Sequence, residues 1–454
     1  MLDPADYGRL SVMLAIAAVA IILLSCGLDT AFFRTYFALQ DNPAIQRRFV
    51  TTAWVFLLVV PPVAAGLLAV VATPILAHSE VVPPGELALA LAGAALFVSG
   101  TVVPLALLRA AERLRDFVVL TSVTAGTTAA LTLVAVVGLR GGVVGWLLAV
   151  VVANALTLAT AVRLIPLRLS PGVDRRMLTG ALALGLPLIP HVLSHWGLGI
   201  SNRLVLAGIV SPAKVGIYSL AANIALPVAI AMQGMGAAFM PTYARAATEK
   251  AARLGLSRVV MAQFLIVLAI AVIGTLIGPI AVRYLAPPEY SGAAELVPWM
   301  TAGYGLLGLY FLPMNAVALT AGRTGKVWIV TLSAAGVNLA CLLALVPAIG
   351  LVGAAIAVTV GYLVLLVGVG IYSHGPDNPV RYEWGRLARG MLVFVSVYAM
   401  AVVTSGDRTM LDAVVRLAWL AAILPLLVLA RVVQRDHVAA AVSHLSRAWP
   451  ARRP

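Results

Sequence analysis

Asp29 and Arg34, in GLDTAFFRTY, are the first residues whose types promise chemistry. Asp29 is the one carboxylate set well inside an apolar run, with Arg34 five residues on. Charges so placed read as a site for cation coupling or for a charged substrate, or as an ion pair at a helix end. A second constellation ends the stretch TGALALGLPLIPHVLSHWGLGISNR, Thr179 to Arg203. His191 and His195 are four apart and share one helical face. That spacing would suit a metal, yet no third ligand is near and no cysteine joins them, so no metal is expected. The pair reads instead as cavity lining, binding substrate or titrating. Beside Asn202, Arg203 suits a diphosphate group through bidentate hydrogen bonds, or it snorkels to the outer headgroups. Asn223 and Asn315, with Asn154, Gln233 and Asn338, are amides in or near apolar runs. They line the same cavity or hydrogen-bond helices together. Tyr304 and Tyr310 stack on sugar faces or pack at an interface. There is no nucleophile elbow, no Walker lysine loop and no carboxylate pair outside the apolar runs, so neither an enzyme nor a cofactor is expected.

The elements that must hold these residues are membrane helices. The 454 residues are 62% hydrophobic and 11% charged, with mean hydropathy +1.03. Apolar runs of 18 or more residues recur to the C-terminus without period-2 alternation, which argues against a barrel. Thirteen spans are predicted, near 10–30, 50–77, 86–108, 118–138, 142–162, 179–202, 216–240, 259–283, 296–320, 327–346, 351–372, 390–404 and 410–430. The first is expected to continue as helix to about residue 38. Pro187 and Pro190 lie within the 179–202 span, where each removes a backbone donor.

A net charge of +14 suggests nucleic acid, but its placement argues against that partner. Of the 31 basic residues, 24 fall in one set of alternate loops, from Arg34, Arg47 and Arg48 to the tail Arg431–Arg453. The rich side should be cytoplasmic, which puts the C-terminus inside and Met1 outside. Cys26 and Cys341 both fall in apolar spans, so no disulfide is expected. No cleavable signal peptide is visible in MLDPADYGR.

The chain also repeats itself. Pro4, Gly8 and Ser11 match Pro212, Gly216 and Ser219; Gly27, Phe32 and Tyr36 match Gly234, Phe239 and Tyr243; Gly142 and Gly145 match Gly350 and Gly353. The offset stays at 207 to 208 residues across all three blocks, which marks a duplication in parallel orientation. The 179–202 span precedes the second copy, and its counterpart would lie before Met1. The expected architecture is therefore all-α and polytopic. About thirteen transmembrane helices form two pseudo-repeated lobes plus a C-terminal pair, with the first helix of the plan absent. The expected boundaries are 1–170 for the N-terminal lobe, 171–373 for the C-terminal lobe, and 374–454 for the extra pair and basic tail.

The segments GLPLIPHVLSHWGLGISNRLVL and VGIYSLAANIA, with ADYGRLS, GLDTAFFRTYF and EYSGAAELVPWM, resemble the bacterial lipid-linked oligosaccharide flippases of the O-antigen type. These belong to the multidrug/oligosaccharidyl-lipid/polysaccharide exporter superfamily. The resemblance implies fourteen helices, one of them missing here. It implies a protein of the bacterial inner membrane that moves an undecaprenyl-diphosphate-linked glycan between leaflets, for envelope or lipopolysaccharide synthesis. The implied partners are membrane lipid, the lipid-linked oligosaccharide, H+ or Na+, and a polysaccharide polymerase with its glycosyltransferases. The family often has Asp-Arg where this chain has Asn202-Arg203. The alternatives are a cation-coupled multidrug antiporter of the same superfamily, a membrane glycosyltransferase, and a scaffold without transport.

Overall fold

The computed structural model describes residues 2–76, 82–165, 174–189, 192–193, 201–248, 250–317, 327–373, 382–404 and 409–432. Among these there is no strand. The helices are α1 (Pro4–Leu24), α2 (Leu28–Ala38), α3 (Pro43–Leu76), α4 (Pro84–Ala110), α5 (Leu114–Leu133), α6 (Gly142–Leu164), α7 (Arg175–Gly185), α8 (Ser201–Ala207), α9 (Pro212–Thr248), α10 (Lys250–Leu285), α11 (Ala293–Ala316), α12 (Val327–Ile349), α13 (Leu351–Ser373), α14 (Trp384–Thr404) and α15 (Thr409–Leu429). Nine helices among the described residues are long and apolar enough to cross a membrane. They coincide with nine of the predicted spans. The predicted spans at 296–320, 390–404 and 410–430 form α11, α14 and α15. The span at 179–202 begins in α7 and runs into residues outside the description.

The first predicted span is not one helix. Asp3 caps α1, its side chain accepting from the Asp6 N–H at 2.7 Å, and Pro4 opens the first turn. The helix stops at Ser25, because Cys26 (φ 51°) and Gly27 (φ 68°) take left-handed backbone. The chain then restarts as α2. Asp29 thus lies in the first turn of a helix, where a carboxylate suits the positive end of the dipole.

The chain divides into two compact units, residues 1–219 and 220–454, so the division falls inside α9. In the first unit α4 is central, packing against α1, α2, α3 and α6, while α5 packs mainly on α6. Prolines would leave carbonyls without donors, and the packing compensates. Pro61 takes the amide that would serve the Leu57 carbonyl, and the Ser99 hydroxyl of α4 donates there instead, at 2.6 Å. Trp54, fully buried, donates from Nε1 to the Ser99 carbonyl at 2.9 Å. Asn154 of α6 donates to the Gly93 carbonyl of α4 at 3.0 Å. In the second unit α11 lies between α10 and α13, α12 packs on α13, and the α14–α15 pair leans on α10. Asn315 of α11 donates to the Gly236 carbonyl of α9 at 3.3 Å.

Two features carry the duplication into three dimensions. Gly142 and Gly350, matched by offset, both adopt positive φ, at 60° and 66°. Each opens the helix that turns back on its predecessor. The second is a crossing of the first copy on the start of the second, within residues 1–219. A Cβ on Gly8 would lie 1.8 Å from the Pro212 carbonyl oxygen, and one on Gly216 would lie 1.9 Å from that of Pro4. The contact is reciprocal: equivalent residues exchange equivalent neighbours. Only glycine permits this approach, because any side chain would overlap backbone.

Candidate functional site

The break between α1 and α2 builds the most chemically distinctive hollow of the first unit. Gly27 sits against Gly185 at the end of α7, and a Cβ on Gly27 would lie 2.2 Å from the Gly185 carbonyl oxygen. Beside this contact is a cavity of about 230 Å³ lined by Ile21, Ser25, Asp29, Phe97, Val102 and Ile189, among others. Asp29 supplies its charge and is exposed. Among the described residues it forms no ion pair with Arg34, which is also exposed, on the following turn of α2.

Phe97 of α4 also borders a larger hollow of about 800 Å³ between α4, α5 and α6. Its walls are mostly apolar, with a ladder of hydroxyls from Thr121, Thr124, Thr128 and Thr132 on α5. Each donates to the carbonyl four residues back, at 2.7 to 2.8 Å. The donors are therefore spent, and what each hydroxyl still offers is an acceptor lone pair. Phe97 lines both hollows, one of which carries a carboxylate and the other a row of weak acceptors. Such a surface takes up a cation or a polyol more readily than a bare anion.

Two of the arginines at the basic end of this unit are engaged. Arg109 lies 5.2 Å from the Phe33 ring centre and 5.8 Å from that of Phe117. Arg113 pairs with Asp116 at 2.6 Å and donates to the Leu164 carbonyl at 3.1 Å.

The second unit presents a different hollow. A groove of about 650 Å³ runs between α10, α11, α13 and α14, almost wholly apolar, with Ser373, Tyr382 and Trp384 on its wall. Leu309 and Met391 also line a second hollow of about 350 Å³, with Thr275 and Tyr398 on its wall. A long apolar chain suits this surface, and a hydrated group does not.

The eight residues singled out from the sequence are spread across the chain. Asp29 lines the first cavity, and Arg34 is exposed on α2. Asn202 is buried on α8, its amide donating to the Tyr218 hydroxyl at 3.3 Å, and Arg203 beside it is half-buried. Asn223 is exposed on α9, and Asn315 is buried in the α11–α9 hydrogen bond. His191 and His195 lie outside the described residues. Sequence reasoning passed over Ser25, Phe97 and the α5 threonines. The threonines carried a readable signal, since spacings of three and four put them on one helical face.

The comparisons with known proteins fit this architecture. A family model described as "Polysaccharide biosynthesis protein" matches residues 1–294. No curated protein matches the sequence. Among solved structures, the chain is similar to the lipid II flippase MurJ in an inward closed conformation. The identity is 11% and the TM-score 0.65, covering 94% of this chain and 96% of that one. It is also similar to an outward-facing multidrug resistance MATE transporter of the MOP superfamily, at 19% identity and TM-score 0.53, covering 82% and 95%. A MOP superfamily transporter from Pyrococcus furiosus gives 18% identity and TM-score 0.54, with the same coverage. These likenesses establish a common fold, and the match over 294 residues establishes more: the chain is a multi-pass membrane protein of the polysaccharide biosynthesis protein family, built on the fold of MOP-superfamily transporters.

Proposed function

We propose that this protein is a flippase that carries a lipid-linked oligosaccharide, with an undecaprenyl diphosphate anchor, from the inner to the outer leaflet of a bacterial cytoplasmic membrane. The observation that carries the reading is the joining of two facts. The family is that of polysaccharide biosynthesis, and the fold, over nearly the full length of both chains, is one used by a lipid flippase. The hollows support it chemically. A substrate with a polyol head and a prenyl tail needs hydroxyl acceptors for one part and a dry groove for the other. The α5 threonine face and the α14-side groove have those characters. Arg34 and Arg203 are the proposed partners of the diphosphate. His191, His195, Asn202, Asn223 and Asn315 are proposed to belong to the path of the head group. The C-terminal tail is cytoplasmic by its basic residues. The polymerase and glycosyltransferases that make and use the glycan are the natural protein partners.

The test is a deletion strain analysed for lipid-linked oligosaccharide and for surface polysaccharide. Accumulation of the completed lipid-linked unit on the inner leaflet, with its glycan absent from the surface, is expected. Normal intermediates with a normal surface would remove the assignment.

A second reading has its own observation. The Asp29 cavity is small and carries one exposed carboxylate, which suits a coupling cation, and MATE transporters share the fold. An antiporter of small cationic compounds follows from it. Asp29→Asn separates the two: an antiporter loses ion-driven efflux of cationic dyes, whereas the flippase never shows such efflux.

A further inference from the structure

We propose that Glu86, in the first turn of α4, is a proton-binding site whose charge state sets how firmly Arg9 ties α1 to α4. Glu86 is only 7% exposed. Its Oε1 lies 3.6 Å from an Arg9 guanidinium nitrogen. Its Oε2 is buried with no hydrogen-bond partner among the described residues. An ionised carboxylate with one oxygen buried and bare is expensive, and taking up a proton is the ordinary relief. Arg9 and the amide end of α4, in whose first turn Glu86 stands, oppose this, because both favour the charged form. Arg9 is not Glu86's alone: it is also paired with Asp6, one turn earlier on α1. Two carboxylates therefore compete for one guanidinium, with Asp3 a third acid beside them at the α1 cap.

The charged groups around Glu86 among the described residues are Arg9 and Asp6, both from α1. His78 and Glu80, ahead of α4 in the chain, lie outside the description. With Glu86 ionised, Arg9 is shared and spans α1 and α4. With Glu86 neutral, the acids left to Arg9 are Asp6 and Asp3, and Arg9 falls back on Asp6 within its own helix. The proton comes from solution and adds to the carboxylate; no bond breaks. The place matters because Arg9 follows Gly8, whose backbone lies on that of Pro212. The tether thus holds the turn of α1 whose backbone meets that of Pro212. The loop assignment puts this end on the outer side. The site stands on its own geometry and holds whatever the cargo.

The experiment labels the full-length protein in native membranes with dicyclohexylcarbodiimide, which reacts with protonated carboxyls in apolar surroundings, and maps the adduct by mass spectrometry across a pH series. Glu86 is expected to label in acidic buffer and to lose labelling as pH rises. Arg9→Gln removes the opposing cation and should carry labelling to higher pH. Asp6→Asn leaves Arg9 to Glu86 and should confine labelling to lower pH. Glu86→Gln should abolish the adduct on that peptide. Opposite shifts from the two variants cannot come from unfolding, which would move both the same way. No adduct at any pH, or one profile shared by the parent, Arg9→Gln and Asp6→Asn, would overturn the proposal.

Discussion

The duplicated segment appears once broken and once whole. In the first copy the chain leaves helical geometry at Cys26 and Gly27, and two helices result. In the second, α9 runs unbroken from Pro212 to Thr248, straight through Gly234, the equivalent of Gly27. The glycine is the same and the backbone is not. What differs is the neighbour: the Gly185 backbone presses on Gly27, whereas nothing lies within 4 Å of where a Cβ on Gly234 would stand. Glycine permits a left-handed turn without imposing one. Two residues further on the same contrast holds. Asp29 of the first copy opens on a cavity. Its counterpart Gly236 is filled in by Phe311, whose ring would lie 2.9 Å from an added Cβ. Duplication supplied two similar segments, and packing turned one into a helix break beside a charge and left the other a continuous helix.

The strongest way to break this picture is at the feature the copies share. Gly8→Leu or Gly216→Leu puts a side chain into a carbonyl, so we expect loss of at least about 4 kcal/mol, read as disappearance of monodisperse protein in detergent. Wild-type melting of either variant would mean the crossing is looser than described. Next comes the glycine pair itself. Gly27→Ala should cost about 2–3 kcal/mol through strain and overlap, whereas Gly234→Ala should gain about 0.5–1 kcal/mol as an ordinary helix substitution. Equal melting temperatures for the two would erase the contrast. Smaller still is the loss at the amides that join neighbouring helices in each unit. Asn154→Ala and Asn315→Ala should each cost about 1 kcal/mol by thermal unfolding. A large gap between them would indicate a second duty for one amide. Least affected is Thr128→Val, within about 0.5 kcal/mol, because its hydroxyl serves only its own helix. A marked loss of transport with unchanged stability would place that hydroxyl on the substrate.

Hydropathy made the spans legible, because burial in lipid demands long apolar runs whatever their packing. The offset of 207 to 208 residues made the duplication legible, and Gly142 and Gly350 bear it out in backbone angle. The break at Cys26 was not legible: it depends on Gly185, far away in sequence, and an apolar run reads the same whether bent or straight. Glu86 was hidden for a related reason. Standing at the start of a predicted span, it reads as a solvated helix end, and only the packing of α1 on α4 encloses it. For Asn202 the amide in apolar sequence was legible, while its partner Tyr218 is visible only in three dimensions.

The reciprocal meeting of Gly8 and Gly216 also sets a schedule. The first compact unit does not end where the first repeat ends; it borrows the opening turns of the second copy and closes at Ser219. During synthesis, α1 enters the membrane with Gly8 uncovered, and the chain that will cover it is not yet made. Until residues 212–219 leave the translocon, that glycine is open to lipid or to chaperones. Insertion of this protein is therefore a matter of waiting as well as threading, and a ribosome stalled between residues 165 and 211 would hold an unfinished surface in the bilayer.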